Sequence, residues 1–507
     1  MNGYGSLEKL FRSWRERSML GRVILMVVGS AIAATACSPH SSIQDSSIQD
    51  SEIVETAPAE TTETTANIET INSTDTFDVS DCQFYTQYAL GGTEEIDSPP
   101  STLSVTQGKV SLSQVMWEGA PCVQTSEALY SPDGSQIATG SVDGVVRLWD
   151  TTGNQLVSLS PFDGPTWRIS KLWYSPDGSQ LAIAGGRYHA LTLWNLGERI
   201  GENSEGDLEA VNTIDFPNTN GGSINVEYSP NSRLLAIFGL DDVVSLWNLA
   251  GDRIAPLTYP SQPISLAVDF NPTSDRIIAD GRDGTVRLWD TTGNQLAVLR
   301  GHKGNFEQIT YSPDGRQILT LMGDNVARLW DAQGNSQGTL SNYSQKIVQL
   351  VYSPNSQKIV TGAHKGEAVL WNSLGHKLAV LEGHSQIVSH VMFSPDGQQI
   401  ATASPEESIV RLWDTKGNLS AEIEAHTGGV TKMQYSPNAQ MIATGGRDNA
   451  VRLWDRAGNP LAAIESTSEE DSLVPFTTLS FSPQSDQLLV IGPLNDAVYL
   501  WNVDSHR

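Results

Sequence analysis

Nine histidines, three cysteines and 58 carboxylates are the side chains of this 507-residue chain on which acid–base, nucleophilic or metal chemistry could be built. Their spacing points away from such chemistry. The chain has no His-Glu-x-x-His, no Gly-x-x-x-x-Gly-Lys phosphate loop and no Asp-x-Asp-x-Asp-Gly calcium loop. His189, His364, His376 and His390 share no spacing that would gather three of them on a metal, and His40 and His506 sit in the terminal segments. The expectation is a non-catalytic protein with no catalytic residues, no metal and no cofactor. An Arg recurs just before Leu-Trp (Arg147, Arg287, Arg328, Arg411 and Arg452). This pattern reads as a solvated strand position beside acidic turn residues, not as a functional ring.

The cysteines carry different information. Residues 1–36 hold a stretch of net charge +3 ending at Arg22, followed by an apolar run from Val23 to Ala36 that is too short to span a bilayer comfortably. This predicts a signal peptide. Ala34-Thr-Ala-Cys37 resembles the lipobox of bacterial lipoproteins, and the resemblance implies lipidation of Cys37 and a membrane-anchored, extracytoplasmic protein. The small residues also suit ordinary cleavage and secretion, and an uncleaved signal anchor is the other reading. Residues 37–81 form an acidic, Ser/Thr-rich segment expected to be a disordered tether, and 82–112 a lead-in. Cys82 and Cys122 are an even pair in an exported chain, so a disulfide closing about 40 residues, worth up to roughly 4 kcal/mol, is expected. Two unpaired thiols are the alternative.

A formal charge of -27 argues against an electrostatic grip on nucleic acid or anionic lipid, which leaves the N-terminal anchor as the only expected membrane contact. The scarcity of cysteine excludes a disulfide miniprotein. What remains is a fold that positions side chains by repetition.

That repetition is explicit from residue 113 to 507. An aromatic followed by Ser or Asn and Pro occurs nine times, at Tyr130, Tyr174, Tyr228, Phe270, Tyr311, Tyr352, Phe393, Tyr435 and Phe481. Each Pro is answered 17 or 18 residues later by Trp-Asp or Trp-Asn, at Trp149, Trp194, Trp247, Trp289, Trp330, Trp371, Trp413, Trp454 and Trp501. Short alternating runs separated by Ser-Pro-Asp-Gly and Asp-Thr-Thr-Gly-Asn turns give four strands per unit. Such a unit cannot bury both faces alone, so the prediction is all-β: a closed propeller of nine four-stranded blades in one ring. A seven- or eight-bladed ring with extra repeats is the alternative. The chain stops five residues after Asn502, so the last blade needs its outer strand from upstream, and residues 113–119 are expected to supply it.

The Trp-Asp endings, the period and the Gly301-His302 and Gly383-His384 dipeptides resemble WD-repeat propeller proteins. The resemblance implies a structural hydrogen-bond tetrad, carried over onto His302, Asp324 and Trp330 and onto His426, Asp448 and Trp454. At His384 the turn position holds Glu407, and there the tetrad is expected to decay.

Departures from the repeat point to binding, because loops on a rigid scaffold carry specificity. An acidic insertion runs from Gly197 to Leu208. Loops 118–125, 161–168 and 466–476 should meet where the ring closes. There Phe162, Trp167 and Phe476 would offer aromatic anchors, and Glu469, Glu470 and Asp471 an acidic rim, suited to a basic or amphipathic segment of a protein partner. The competing reading is that Trp167 and Phe476 cover core edges. The function expected is a monomeric scaffold that binds other proteins or peptides. A propeller enzyme or ligand sensor using the central channel, and a structural envelope component, are its rivals.

Overall fold

The computed structural model describes residues 103–106, 110–115 and 125–503, apart from the connections at 163–167, 186–189, 197–209, 215–223, 240–243, 258–266, 341–344, 467–477 and 492–497 and positions 282, 304 and 305. Every blade begins with the strand that ends in the aromatic-Ser-Pro segment. Beyond it the chain must reverse, and the residue four after the aromatic takes a left-handed conformation. Glycine does so without a Cβ penalty at Gly134, Gly178, Gly315 and Gly397, whereas Ser232, Ser274, Ser356, Ser485 and Ala439 accept the strain. In the first unit the Ser131 hydroxyl accepts the Gln136 N–H at 2.9 Å, and the Gly134 N–H closes onto the Ser131 carbonyl at 2.8 Å. The strained serines are compensated across blades. The hydroxyls of Ser232, Ser274, Ser356 and Ser485 accept the main-chain N–H of Asp177, Asn231, Asp314 and Asn438 in the preceding blade, at 2.9–3.1 Å.

The strands form nine antiparallel sheets, each ordered from first strand to fourth. Blades 1 to 8 span residues 125–159, 169–214, 225–257, 268–299, 306–340, 347–380, 390–424 and 430–466, and blade 9 takes its three chain-consecutive strands from 478–503. Alternation gives each sheet an apolar layer on both faces, so the core lies between blades. Nine apolar clusters result among the described residues, one per seam. Between blades 5 and 6, for example, Leu319, Leu329 and Leu340 meet Leu350, Ile359 and Trp371. Full burial of each such side chain is worth about 1.5–3 kcal/mol, and single blades have no means of collecting it alone.

The ring closes. Ala128, Tyr130, Ile137 and Trp149 of blade 1 pack on Leu489, Ile491, Val498 and Leu500 of blade 9. Gln487 Nε2 donates to the Thr151 carbonyl at 2.9 Å across the same seam. The outer strand of blade 9 comes from upstream, but from Val110–Val115, not from 113–119. Val110 opposes Val503 and Val115 opposes Tyr499, with a register shift between Leu112 and Gln114 that the repeat alignment did not contain. A further strand, Leu103–Thr106, adds a fifth member to the outer edge of blade 8, pairing Leu103 with Ser466 and Thr106 with Ala463. With these two strands designated β1 (Leu103–Thr106) and β2 (Val110–Val115), the ring reaches into the segment assigned to the 82–112 lead-in. Residues 1–36, 37–81 and 82–102 lie outside the described residues.

Candidate functional site

The polar side chains that recur from blade to blade form two built systems, one inside each blade and one between blades. The first begins at the Trp-Asp strand. In blades 1, 5, 6, 7 and 8 the indole N–H of Trp149, Trp330, Trp371, Trp413 and Trp454 donates to a threonine hydroxyl on the adjacent strand (Thr139, Thr320, Thr361, Thr402 and Thr444) at 2.9–3.0 Å. In three of them a buried histidine continues the chain, with Nε2 of His302, His384 and His426 at 2.6, 2.9 and 2.8 Å from the same hydroxyl. His426 Nδ1 lies 2.7 Å from Asp448, which also accepts the Thr427 N–H at 3.1 Å and faces Arg452 at 2.7 Å.

Glu407 does not break the tetrad of blade 7. Its extra methylene is accommodated, and the carboxylate takes His384 Nδ1, the main-chain N–H groups of Ser385 and Gln386, and the Ser385 hydroxyl. Burial alone would raise the Glu407 pKa, but the hydrogen bonds from His384 and Ser385 outweigh it and hold the carboxyl at about 2. Blade 5 differs in the other direction. Asp324 stands 3.6 Å from His302 Nδ1, and Arg328 occupies that nitrogen at 2.7 Å. Burial, then the Arg328 charge, push His302 down to about 4, so its ring is neutral at pH 7. A neutral ring can accept from Arg328 at Nδ1 while donating from Nε2 to Thr320.

The recurring arginines do pair with acidic turn residues, at 2.8 Å for Arg147–Asp143 and Arg328–Asp324. They are not the solvated positions expected. Arg287 is only 2% exposed and Arg411 7%, and Arg328 and Arg452 donate to the Gly301 and Ala425 carbonyls of the chain entering their own blades. Each is a structural clamp that needs its carboxylate.

The second system laces the first strands of neighbouring blades. The first strand of each blade leaves one main-chain edge unpaired, and side chains of the preceding blade supply partners. Glu127 accepts the Leu172 N–H at 2.8 Å, Asp269 the Tyr311 N–H at 2.8 Å, Gln308 the Leu350 N–H at 3.2 Å, Gln349 the Val391 N–H at 2.8 Å and Gln434 the Phe481 N–H at 3.2 Å. His390 Nε2 donates to the Thr431 carbonyl at 3.1 Å, and Lys171 Nζ to Asn225 at 3.0 Å. Burial first, then the nearby Lys432 charge, lower the His390 pKa to about 4 despite the hydrogen bond to Thr431, so it donates as neutral imidazole. Farther out, the residue opening the second strand donates to a turn carbonyl of the next blade: Gln180 to Leu249, Arg276 to Ala332, Gln317 to Ser373, Lys358 to Thr415 and Gln399 to Arg456.

Of the residues expected to bind a partner, Phe162 is half-buried and packs on the apolar cluster between blades 1 and 2, its ring edge toward Gly185. Trp167, Glu469, Glu470, Asp471 and Phe476 lie outside the described residues, as do Cys37, Cys82, Cys122 and the 197–208 insertion. The sequence reading missed the threonines, although the signal was present: a Thr stands ten residues before the Trp in four blades, and eleven before it in blade 7. It also missed the lacing residues. Their types vary between carboxylate, amide, imidazole and amine, and they stand either one or three residues before the aromatic of the first strand.

Residues 264–507 match the family described as "IFT122 first beta-propeller", and residues 121–150 the family described as "WD domain, G-beta repeat". WD repeat-containing protein 1 of Xenopus tropicalis is 32% identical over 98 residues, 18% of this chain and 16% of that protein. The Gallus gallus protein of the same name is 33% identical over 102 residues, 19% and 16% of the two chains. The match thus spans about a sixth of those relatives' length. Among solved structures, the C-terminal WD40 domain of Sif2 superposes with a TM-score of 0.52 at 18% identity, covering 80% of this chain and all of that one. A eukaryotic initiation factor superposes at 0.54 with 17% identity, covering 68% and 88%. These likenesses speak to fold. Joined to the closed seams, they identify a nine-bladed β-propeller whose Trp–Thr–His–acid chains are similar to those of WD repeats.

Proposed function

We propose that this propeller is a non-catalytic scaffold that binds other proteins or peptides through its irregular loops, held outside the cytoplasm by a lipid on Cys37. The observation that carries the reading is how the repeated polar groups are used. Glu127, Asp269, Gln308, Gln349 and Gln434 recur on the first strands of their blades, one or three residues before the aromatic, and a ligand-sensing or catalytic ring would need such repeated polar groups free. Each, however, already holds a main-chain N–H of the next blade. The histidines of blades 5, 7 and 8 are likewise held inside their tetrads. Groups committed to the scaffold leave recognition to the loops that interrupt the repeat.

Two experiments separate the parts of this proposal. Cys37→Ser should move the protein from the membrane to the soluble fraction without changing its thermal unfolding, and unchanged partitioning would reject the lipid anchor. Immobilised propeller should capture a saturable partner from membranes. Trp167→Ala combined with Glu469→Lys and Glu470→Lys should abolish capture while the unfolding midpoint stays constant. Capture that is unaffected would place binding on another surface, and capture that falls only with stability would make Trp167 a core residue.

A further inference from the structure

Among the described residues, blade 8 is the one sheet with five strands. Its fifth, β1, is not what closes the ring: β2 completes blade 9, and blade 8 already holds four strands of its own unit. β1 lies outside these, on the outer edge of Pro460–Ser466, and residues 107–109 alone join it to β2. The strand that receives it is unusual too. The outer strands of blades 1 to 7 have four to six residues, whereas Pro460–Ser466 has seven, and β1 pairs with the last four of them. The pairing is antiparallel and without a register shift: Leu103 opposes Ser466, Ser104 opposes Glu465, Val105 opposes Ile464 and Thr106 opposes Ala463.

A sheet edge grips an added strand by its main chain and selects its sequence through the face on which each residue falls. Directly opposed residues share a face, so Leu103 and Val105 stand on the face of Ile464, which is fully buried in the cluster that blade 8 shares with blade 9. Ser104 and Thr106 stand on the other face, with Glu465 and Ala463. The edge therefore takes an uncharged, extended segment with aliphatic residues at alternate positions. Any chain of that pattern meets the requirement as well as residues 103–106 do.

We propose that the edge at Ala463–Ser466 is a docking site for such a segment of a partner protein, added as an antiparallel strand, and that β1 is a built-in competitor for it. The proposal rests on the scaffold role given above but places the contact on a strand edge in place of the loops. Displacing β1 breaks four residue pairs and leaves every blade with four strands. Its short tether keeps β1 at an effective concentration in the millimolar range, so a partner needs a longer or better-matched strand to win. Leu461 and Ala462, on the same strand but beyond the pairs made by β1, offer that extra length.

The test uses the full chain and a fluorescent synthetic peptide copying residues 101–108, with binding read by anisotropy. Leu103→Asp combined with Val105→Asp removes both aliphatic residues from β1 and leaves β2 unchanged. This variant should bind the peptide at least about tenfold more tightly than wild type, and wild type should still bind at higher peptide concentration. Hydrogen exchange places the event: residues 463–466 should lose protection in the variant and regain it with peptide, while 110–115 stays constant. Ser104→Cys with Glu465→Cys guards against a folding defect, because it joins a directly opposed pair and the same protein is compared oxidised and reduced. Oxidation should abolish peptide binding and reduction restore it. Trp167→Ala with Glu469→Lys and Glu470→Lys should leave peptide binding unchanged. Equal affinity in wild type and the Asp variant, binding without protection at 463–466, or binding that ignores the oxidised lock overturns the proposal. So does wild type that stays unbound at about a hundredfold the variant's Kd, which would make β1 a fixed cover. Binding lost only in the Trp167→Ala combination would put the peptide on the loops, overturning this site while leaving the scaffold reading standing.

Discussion

Thr444→Val isolates the contribution of one blade's polar chain to the stability of the ring. The substitution preserves shape and β-branching but removes a hydroxyl that accepts from Trp454 Nε1 at 3.0 Å and lies 2.8 Å from His426 Nε2. Both partners are buried, at 6% and 3% exposure, so water is not available to replace it. Two orphaned groups at about 1–3 kcal/mol each put the cost at roughly 3 kcal/mol. With about 2 cal/mol/K of unfolding entropy per residue over roughly 390 residues, this lowers the melting temperature by about 4 °C. The control is Thr192→Val in blade 2, where Trp194 Nε1 is buried without a hydrogen-bond partner and the threonine makes only contacts of 3.4 and 3.5 Å. Its expected cost is below about 1 kcal/mol. Urea unfolding followed by tryptophan fluorescence, with thermal unfolding in parallel, measures both variants. If Thr444→Val falls within about 0.5 kcal/mol of wild type, or the two variants cost the same, the tetrad is not the stabilising element argued from its geometry.

Four more outcomes follow from the structure. Ala439 sits at φ +59° with no side-chain bond in compensation, so Ala439→Gly should raise stability by about 0.5–1 kcal/mol, measured by urea midpoint; a loss would refute the strain. Gln399→Leu removes both the Tyr435 hydroxyl's acceptor and the donor to Arg456 and should cost about 2 kcal/mol, with a smaller loss at the exposed Gln337→Leu as the comparison. Stability should peak near pH 5 in thermal scans: Glu407 and Asp448, held at about 2, withdraw support as pH falls below their unfolded values, while Glu127, raised to about 7 chiefly by burial, is destabilised by ionising as pH climbs from 5 to 7.5, and Glu127→Gln should flatten that second limb. Deletion of residues 1–108 removes β1 but leaves β2 and should preserve cooperative unfolding, whereas deletion of 1–120 strips blade 9 of its outer strand and should produce aggregation detectable by light scattering.

The fold was legible because each unit repeats the few residues its geometry requires. Tyr130-Ser-Pro and its eight counterparts mark the reversal after each first strand, and the Trp endings mark the third, so blade number and order follow from spacing alone. The ends were harder to read. Outer strands face solvent on one side, and Gln295–Leu299 alternates only weakly between exposed and covered positions. An alignment on that pattern had little to fix its register, and the closing strand was placed three residues late. Leu103-Ser-Val-Thr106 does alternate, but nothing in a four-stranded repeat calls for a fifth strand, so β1 had no place in the pattern.

The side chains that hold the ring together were less legible than the strands because they answer to partners in another blade. Thr444 serves Trp454 within one unit and keeps a fixed distance from it, so a repeat could have revealed it. Gln434 and Asp269 serve the next blade's main chain, and any acceptor of suitable reach meets that need; the position is constrained while the residue type is free. That freedom is what allows one seam to differ. Gln180, Arg276, Gln317, Lys358 and Gln399 each reach a turn carbonyl of the next blade, whereas Leu234 opens the same strand of blade 3 with no polar side-chain atom to offer. No single unit shows that difference, because each donor's acceptor lies in the following repeat.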